Sequence, residues 1–203
     1  MLWDASMLVG YATVGSDGAA GTVSGLLFDD AIWRLRWLIA DTREWLPRHE
    51  VLIPAAALAR PDPLRRRLAV DLTMAQIEDC PAADCHPPVS WQTPSIKHAD
   101  PHLRSVDAVV GHRVHLVGAV IGHVEELVVD DAGWDIRYIR VDTCKWRPGD
   151  RVLLAPRSVR EIDWHGRLMR FDVGRQQVAA GRSADCEAIW IRSQGYEPIH
   201  SEA

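Results

Sequence analysis

RYIRVDTCKW, residues 137–146, closely repeats RWLIADTREW, residues 36–45. The two stretches are 101 positions apart, and the same offset relates further matching residues: Val9 and Val110, Gly21 and Gly122, Asp29 and Asp130, Asp41 and Asp142, Trp45 and Trp146. The prolines of VLIP (51–54) and LLAP (153–156) depart from this offset by one, which predicts a local slip in register. A constant offset is typical of a duplicated structural unit. We therefore predict a tandem repeat.

Each predicted copy consists of short β-strands separated by turns. IRYIRVD (136–142) alternates, with Ile139 and Val141 on one face, as half-buried strands do. DDAGWD (130–135) carries the Asp and Gly that tight turns favour, and SVREI (158–162) also reads as a short turn. Because the segments leave no room for crossover helices, we expect neighbouring strands to be antiparallel.

A unit of about 75 residues commonly removes its exposed strand edges by closing into a small barrel. The doublets Ser24-Gly25 and Glu125-Glu126 interrupt the alternation and predict β-bulges, which would turn both Val124 and Leu127 inward. We therefore predict an all-β fold of two tandem small antiparallel β-barrels with short helical turns. Its predicted parts are a first barrel at 1–80, a Pro-rich linker at 81–105, a second barrel at 106–181 and a C-terminal tail at 182–203.

The stretches VVGHRVHLVGAVIGHVEELVVD (109–130), IRYIRVDT (136–143), VLLAPRSV (152–159) and RFDV (170–173) resemble the PRC-barrel family. The shared features are turn and core residues, and both copies match over most of their length. The resemblance implies a small β-barrel scaffold that docks on other proteins and has no shared catalytic residue. One branch of the family acts in maturation of the small ribosomal subunit, which implies an adaptor in ribosome or RNA maturation as an alternative.

The predicted linker is rich in Pro, Ala and Ser and has no regular period, so we interpret it as a connector. Trp91 and Ile96 are its candidate anchors on a barrel. The predicted tail contains Ile189, Trp190 and Ile191, which either add a strand or pack across a barrel.

The composition is that of an ordinary globular protein, with 47 % hydrophobic and 25 % charged residues. The net charge is −5, so we expect no direct binding of nucleic acid. No apolar run approaches the ~20 residues that span a bilayer, and the amino-terminal stretch MLWDASMLVG lacks the basic residues of a signal peptide. We therefore expect a cytoplasmic protein whose four cysteines are reduced thiols.

The linker and the residue just before it hold the side chains that zinc prefers, at Cys80, Cys85, His86, His98 and His102. Their spacing is not that of a zinc knuckle, and we interpret them as incidental to the linker. His112, His115 and His123 are interpreted as surface or half-buried histidines.

No phosphate-binding loop, dinucleotide-binding motif or nucleophile elbow is present in the sequence. The acidic pairs at 29–30 and 130–131 are interpreted as turn residues, because Asp in a turn bonds its own backbone. We therefore predict no catalytic residue, no cofactor and no metal ligand, and a protein that is not an enzyme.

The chain has nine tryptophans and only two phenylalanines. Tyr138 shares a strand face with Arg140, which predicts that this face is outward, and Trp37 is its counterpart. Because Trp and Tyr anchor interfaces, Trp37 and Tyr138, with Trp45 and Trp146 near the adjoining turns, form the predicted interaction surface. Packing under the linker or tail is the alternative.

We predict a non-enzymatic protein-interaction or assembly module. Its expected partner is another protein or a second copy of the chain in a homodimer. A metal-binding or small-molecule-binding protein that uses the linker thiols and imidazoles remains a further alternative.

Overall fold

The computed structural model describes residues 1–46, 50–91, 100–144, 146, 149–180 and 188–191. The strands are β1 Leu2–Asp4, β2 Ala12–Val14, β3 Ala19–Asp29, β4 Arg34–Asp41, β5 Glu50–Pro54, β6 Arg67–Ala69, β7 Leu103–Ser105, β8 Arg113–Val117, β9 Ala119–Asp130, β10 Ile136–Asp142, β11 Arg151–Leu154, β12 Val159–Asp163, β13 Leu168–Gly174 and β14 Ala188–Ile191. The α-helices are α1 Met74–Glu78, α2 Val106–Val109 and α3 Arg175–Ala180. Short 3-10 helices are Ala5–Leu8, Ala55–Ala57, Ala83–Cys85, Val89–Trp91 and Pro156–Ser158.

Strands make up 50 % of the structure and helices 17 %, so the protein belongs to the mostly-β class, as predicted. The chain divides into two compact units. The first unit is Trp3–Ala108 together with Asp130–Asp135. The second unit is Met1–Leu2, Val109–Val129 and Ile136–Ala203.

The first unit is built on one sheet with the strand order β5-β4-β3-β2-β6, in which β7 also pairs with β3. Its core consists of apolar side chains with no exposed surface, among them Leu8, Leu27, Phe28, Leu38, Val51, Ile53, Leu68 and Ile77. Both Leu27 and Phe28 are buried although they point to opposite faces of β3. The middle of this sheet is therefore covered on both sides.

The second unit contains the strand order β12-β13-β8-β9-β10-β11-β14. Its core is formed by Val114, Ile121, Val124, Leu127, Ile139, Val141, Val152, Leu154 and Met169, all fully buried. The predicted tail contributes β14, which pairs antiparallel with β11. Among the described strands, neither sheet closes into a barrel.

The expectation of purely antiparallel sheets is wrong at two strand pairs. β2 pairs with β6, and β8 pairs with β13, in parallel. For the pair of β8 and β13, the reason lies in SVREI (158–162), because most of this predicted turn belongs to β12, which pairs antiparallel with β13. The 3-10 helix Pro156–Ser158 does not reverse the chain, so β12 continues in the direction of β11. The hairpin from β12 to β13 then returns the chain parallel to β8.

Positions 101 residues apart, which we call equivalent positions, have matching backbone geometry. Three equivalent pairs share positive φ angles: Gly10 at 81° and Gly111 at 83°, Trp33 at 53° and Trp134 at 59°, Arg66 and Arg167 both at 49°. Leu38 pairs with Ile53, and their equivalents Ile139 and Leu154 also pair. The predicted slip of register near the prolines is therefore wrong.

The physical reason for the unchanged register is that the two prolines occupy different local positions. Pro54 ends β5, whereas Pro156 begins the 3-10 helix that follows β11. Proline is tolerated both at the end of a strand and in the first turn of a helix, so its position does not fix the strand pairing.

The predicted β-bulges are present. The register of β3 against β4 shifts between Val23 and Gly25, and that of β9 against β10 shifts between Val124 and Glu126. Ser24 and Glu125 are the extra residues. Val124 and Leu127 are both fully buried, as the bulge predicts.

Within the described part of the chain, no helix has the length and apolar character needed to cross a membrane.

Candidate functional site

Trp37 is half-buried and packs within the first unit. Its ring stacks on His86, with centroids 6.2 Å apart and an interplanar angle of 14°. It also packs against an apolar cluster formed by Leu27, Ile39, Leu52, Ala83 and Leu103. Trp37 therefore covers part of the core and is itself covered by the segment that follows α1.

The other three residues of the predicted interaction surface are also half-buried. The Trp45 indole donates a hydrogen bond to the carbonyl oxygen of Ala20 at 3.1 Å. The Arg175 guanidinium lies over the Trp146 ring, 5.1 Å from its centroid. Tyr138 lies on β10, at the position equivalent to Trp37. The first unit thus holds two of the four aromatic residues and the second unit the other two.

The linker thiols and imidazoles make separate local contacts. Cys80 is buried and Cys85 is exposed, and both are free thiols. Burial, followed by the charge of Asp79, raises the pKa of the Cys80 thiol. His102 Nδ1 lies 2.8 Å from Asp30 Oδ1, while His86 stacks on Trp37. His98 and Ile96 lie outside the described residues, as does the side chain of Trp91.

Several large apolar side chains are exposed on the first unit. Leu64 is 96 % exposed, Met7 47 % and Val9 38 %. The segments that carry them adjoin, because a methyl group on Gly10 would lie 3.7 Å from Arg66 Nη2. The Arg66 guanidinium itself lies over the buried Tyr11 ring, 5.1 Å from its centroid. Apolar and basic groups therefore share one part of this surface.

His123, Asp142 and Cys144 come together on the second unit. Cys144 Sγ lies 3.8 Å from His123 Nδ1, and Asp142 Oδ2 lies 3.9 Å from His123 Nε2. The donor atoms of the three side chains all lie within 4.8 Å of one another. The His123 and Asp142 side chains are partly exposed, at 43 % and 30 %, and Cys144 is exposed. The group is thus open to solvent.

Strand pairing places these three side chains together. Asp142, the last residue of β10, is the register partner of His123 on β9. Thr143 is fully buried and its hydroxyl donates to the carbonyl oxygen of Asp150 at 2.8 Å. Because Asp142 and Cys144 flank this anchored residue, both can turn to the side opposite to it. A methyl group on Gly122 would lie 1.6 Å from the carbonyl oxygen of Asp142, so glycine allows the two strands to approach here.

The equivalent positions in the first unit carry different chemistry. Thr22 is the register partner of Asp41, as His123 is of Asp142. Arg43 occupies the position equivalent to Cys144, and its Nε lies 3.0 and 2.9 Å from the two carboxylate oxygens of Asp41. In the first unit the carboxylate is thus paired with a guanidinium, whereas in the second it has a thiol and an imidazole beside it.

An ion-pair group lies next to these residues in the second unit. Arg151 is the register partner of Asp142, but its Nε donates to the Glu125 carboxylate at 2.6 and 2.9 Å. Arg140 Nε donates to the same carboxylate at 3.0 Å. Burial opposes the ionisation of Glu125, but the hydrogen bond from Arg151 and the two positive charges outweigh it. The pKa of the Glu125 carboxyl is therefore lowered.

The prediction for the three histidines of the second copy is wrong for His112, which is 2 % exposed. β8 begins only at Arg113, so His112 precedes the strand and packs against Trp164, with ring centroids 5.4 Å apart. His115 and His123 are half-buried, as predicted.

The proximity of His123 and Cys144 was not predicted, because the two residues are 21 positions apart in the sequence. The signal that could have found the pair is the hairpin itself. Once the turn at DDAGWD is assigned, antiparallel pairing aligns the end of IRYIRVD with the start of GHVEEL.

No protein-family model matches this chain, and no curated protein matches it in sequence.

Proposed function

We propose that the chain is a tandem duplication of a PRC-type β unit and acts as a non-enzymatic module that docks on another protein. The matching backbone geometry at equivalent positions supports the duplication. In both copies a backbone pairing also links the segment after the 3-10 helix to the following strand, as an isolated bridge between Leu58 and Val70 and as part of the β12–β13 pair between Val159 and Phe171. This return of the chain is consistent with sheets that curl toward a barrel.

The exposed apolar group of Met7, Val9 and Leu64 carries the proposal of a docking role. The positions equivalent to these three hold Ala108, Val110 and His165. Since the same backbone geometry forms with His165, folding does not require a leucine at position 64. Covering one such leucine side chain contributes roughly 2 kcal/mol to association, and this gain is available only to a partner.

The basic residues beside the apolar group indicate the charge of the partner. Arg65, Arg66 and Arg67 are exposed beside the apolar group. Arg65 is paired with Asp62 at 3.4 Å, and Arg66 lies over Tyr11. Electrostatic complementarity favours a partner segment in which large apolar side chains are flanked by acidic ones. We therefore place the docking surface on the first unit, at residues 7–9 and 64–66.

Site-specific photocrosslinking tests this surface. A photoreactive amino acid is placed at position 64 in one variant and at the equivalent position 165 in a matched control. Both full-length proteins are irradiated in lysate of the native cell, with and without RNase, and adducts are identified by mass spectrometry. We expect one protein to be crosslinked from position 64, unaffected by RNase and absent from position 165.

The other outcomes distinguish the alternatives. Ribosomal proteins whose adducts disappear with RNase would support the adaptor in ribosome or RNA maturation. Adducts between two copies of the chain would support the homodimer. Equal adducts from both positions, or none, would contradict the docking surface. A Tyr138→Ala variant in the same capture tests the aromatic residue predicted from the sequence.

A further inference from the structure

We propose that His123, Asp142 and Cys144 form a binding site for a divalent transition-metal ion that favours thiolate, such as Zn²⁺ or Co²⁺. This site lies entirely on the second unit and is independent of the docking surface on the first. Of the residues that the sequence offered as metal donors, Cys80, Cys85, His86 and His102 are not members of this group.

The donor set suits such an ion. Zn²⁺ accepts thiolate sulfur, imidazole nitrogen and carboxylate oxygen, and each of the three residues supplies one of these. Two tetrahedral ligands at ordinary Zn–S and Zn–N distances are about 3.6 Å apart. Cys144 Sγ and His123 Nδ1 are 3.8 Å apart, and all three donor atoms lie within 4.8 Å. With three protein ligands, the fourth position stays open to water or to an external ligand.

The charges around the three residues also fit a dication. The Asp142 carboxylate and a deprotonated Cys144 thiolate together carry two negative charges, which balance the ion. Among the described residues, Arg151 is the register partner of Asp142 on β11, and its Nε is held by both oxygens of Glu125 at 2.6 and 2.9 Å. The hydrogen bonds of its Nε thus go to Glu125, although its charge still acts on Asp142.

The equivalent positions of the first unit also support the metal site. Asp41 and Asp142 have the same register partner position and the same buried threonine after them, Thr42 and Thr143. In the first unit the Arg43 guanidinium neutralises the Asp41 carboxylate, so that this carboxylate needs no bound ion. In the second unit that cation is replaced by a thiol, and Thr22 is replaced by an imidazole. The backbone is retained while both neighbours of the carboxylate become metal donors.

Cobalt titration of the reduced full-length protein tests the site. Co²⁺ bound by a thiolate gives a sulfur-to-cobalt charge-transfer band in the near ultraviolet and intense visible bands when tetrahedral. We expect one Co²⁺ per chain and displacement of the ion by Zn²⁺. Cys144→Arg and His123→Thr introduce the residues of the equivalent positions, and we expect both to abolish the charge-transfer band. Cys85→Ser and Cys186→Ser are the matched controls and should retain it.

A reciprocal variant keeps the test decisive. Thr22→His with Arg43→Cys transfers the two donors to the first unit, beside Asp41. We expect this double variant to bind two Co²⁺ per chain with twice the charge-transfer intensity. Circular dichroism confirms the fold of each variant, and Cys144→Ser replaces Cys144→Arg if the arginine disturbs it. Absence of the band in the native protein, its persistence without Cys144, or its loss in Cys85→Ser would overturn the proposal.

Discussion

At the scale of single residues, His112 places a titratable ring in the core of the second unit. Among the described residues, neither of its ring nitrogens has a hydrogen-bond partner. Burial lowers the pKa of His112, and the positive charge of Arg167 lowers it further. The nearby backbone of Val109 and the negative charge of Asp163 favour the protonated ring, but they do not cancel these effects. The neutral imidazole is therefore the form that suits the folded protein.

This lowered pKa predicts a loss of stability in acid. Below the usual histidine pKa of about 6.5, the unfolded chain binds a proton that the folded chain does not. The stabilising contribution of the neutral His112 ring should therefore be fully present above that pH. It should be lost as the pH falls toward the folded-state pKa of His112. We expect the urea midpoint of His112→Leu to depend less on pH than that of the native protein. Urea unfolding between about pH 7.5 and pH 5 measures this difference.

His165→Leu is the control, since His165 is exposed. Its midpoint should follow the pH dependence of the native protein. An unchanged pH dependence in His112→Leu would contradict the prediction.

The burial of His112 could have been anticipated from Tyr11, its equivalent, because an aromatic residue at one copy's position indicates a core position in both. The metal site required a further step, the alignment of β10 with β9 across the DDAGWD turn.

At the scale of elements, the close approach of β9 and β10 depends on Gly122. A methyl group there would lie 1.6 Å from the Asp142 carbonyl oxygen, and one on the equivalent Gly21 would lie 1.9 Å from that of Asp41. Backbone atoms at this distance cannot move aside without breaking the strand pair. Glycine at these positions is therefore required by packing in both units.

We expect Gly122→Ala to destabilise the protein by about 3 kcal/mol or more, because it forces the two strands apart. Gly118→Ala is the matched control. Gly118 has a φ of 80° and nothing within 4 Å of an added methyl group, so only the cost of the left-handed conformation, roughly 1–2 kcal/mol, applies. Urea unfolding of both variants measures the difference. Equal costs would show that the contact with Asp142 does not constrain position 122.

The sequence predicted elements well where a strand alternates between polar and apolar residues. The expected strand IRYIRVD coincides with β10, Ile136–Asp142. The strand in SVREI was predicted as a turn, because VREI shows no alternation of buried and exposed residues. The strand β12 lies at the edge of its sheet, where few side chains are buried. The α1 helix was not predicted, although Thr73 and Gln76 form a capping box that the sequence displays.

At the scale of the whole molecule, the turn Asp130–Asp135 belongs to the first unit, although the strands on either side of it belong to the second. Trp134 is 3 % exposed, and its carbonyl oxygen accepts a hydrogen bond from Leu35 N at 2.9 Å. Asp131 accepts from the Trp3 indole at 3.0 Å and pairs with Arg60 at 3.0 Å. These six residues therefore complete the packing of the first unit.

A chain truncated after residue 108 lacks this turn, and we expect it to unfold at a lower urea concentration than the first unit of the complete protein. Trp134→Ala in the full chain should reproduce part of the loss, about 3–5 kcal/mol for a buried aromatic side chain. Trp33→Ala is the control at the equivalent position, where the ring is half-buried and stacks on Phe28. Fragment 1–108 with the full stability of the first unit would contradict this role of the turn.

The repeated offset predicted similar backbone geometry in the two halves, yet it could not predict the location of this turn. DDAGWD has the local chemistry of a hairpin, with Asp130 Oδ1 accepting from the amides of Ala132 and Gly133. That chemistry fixes the shape of the turn. The contacts of Trp134 with residues 35 and 58 join segments that are far apart in the sequence, so the local sequence of the turn cannot predict them.

During protein synthesis, the segments that form the first unit emerge from the ribosome at different times. Domains generally fold as units during translation, beginning with the amino-terminal one. Here the amino-terminal unit is incomplete when the ribosome has finished residue 108, because its last contributors are residues 130–135. The packing of the first unit can therefore be completed only after part of the second unit has been synthesised and Trp134 has become available. Stalled chains released after residue 108 and after residue 142 should consequently differ in protease resistance of the first unit.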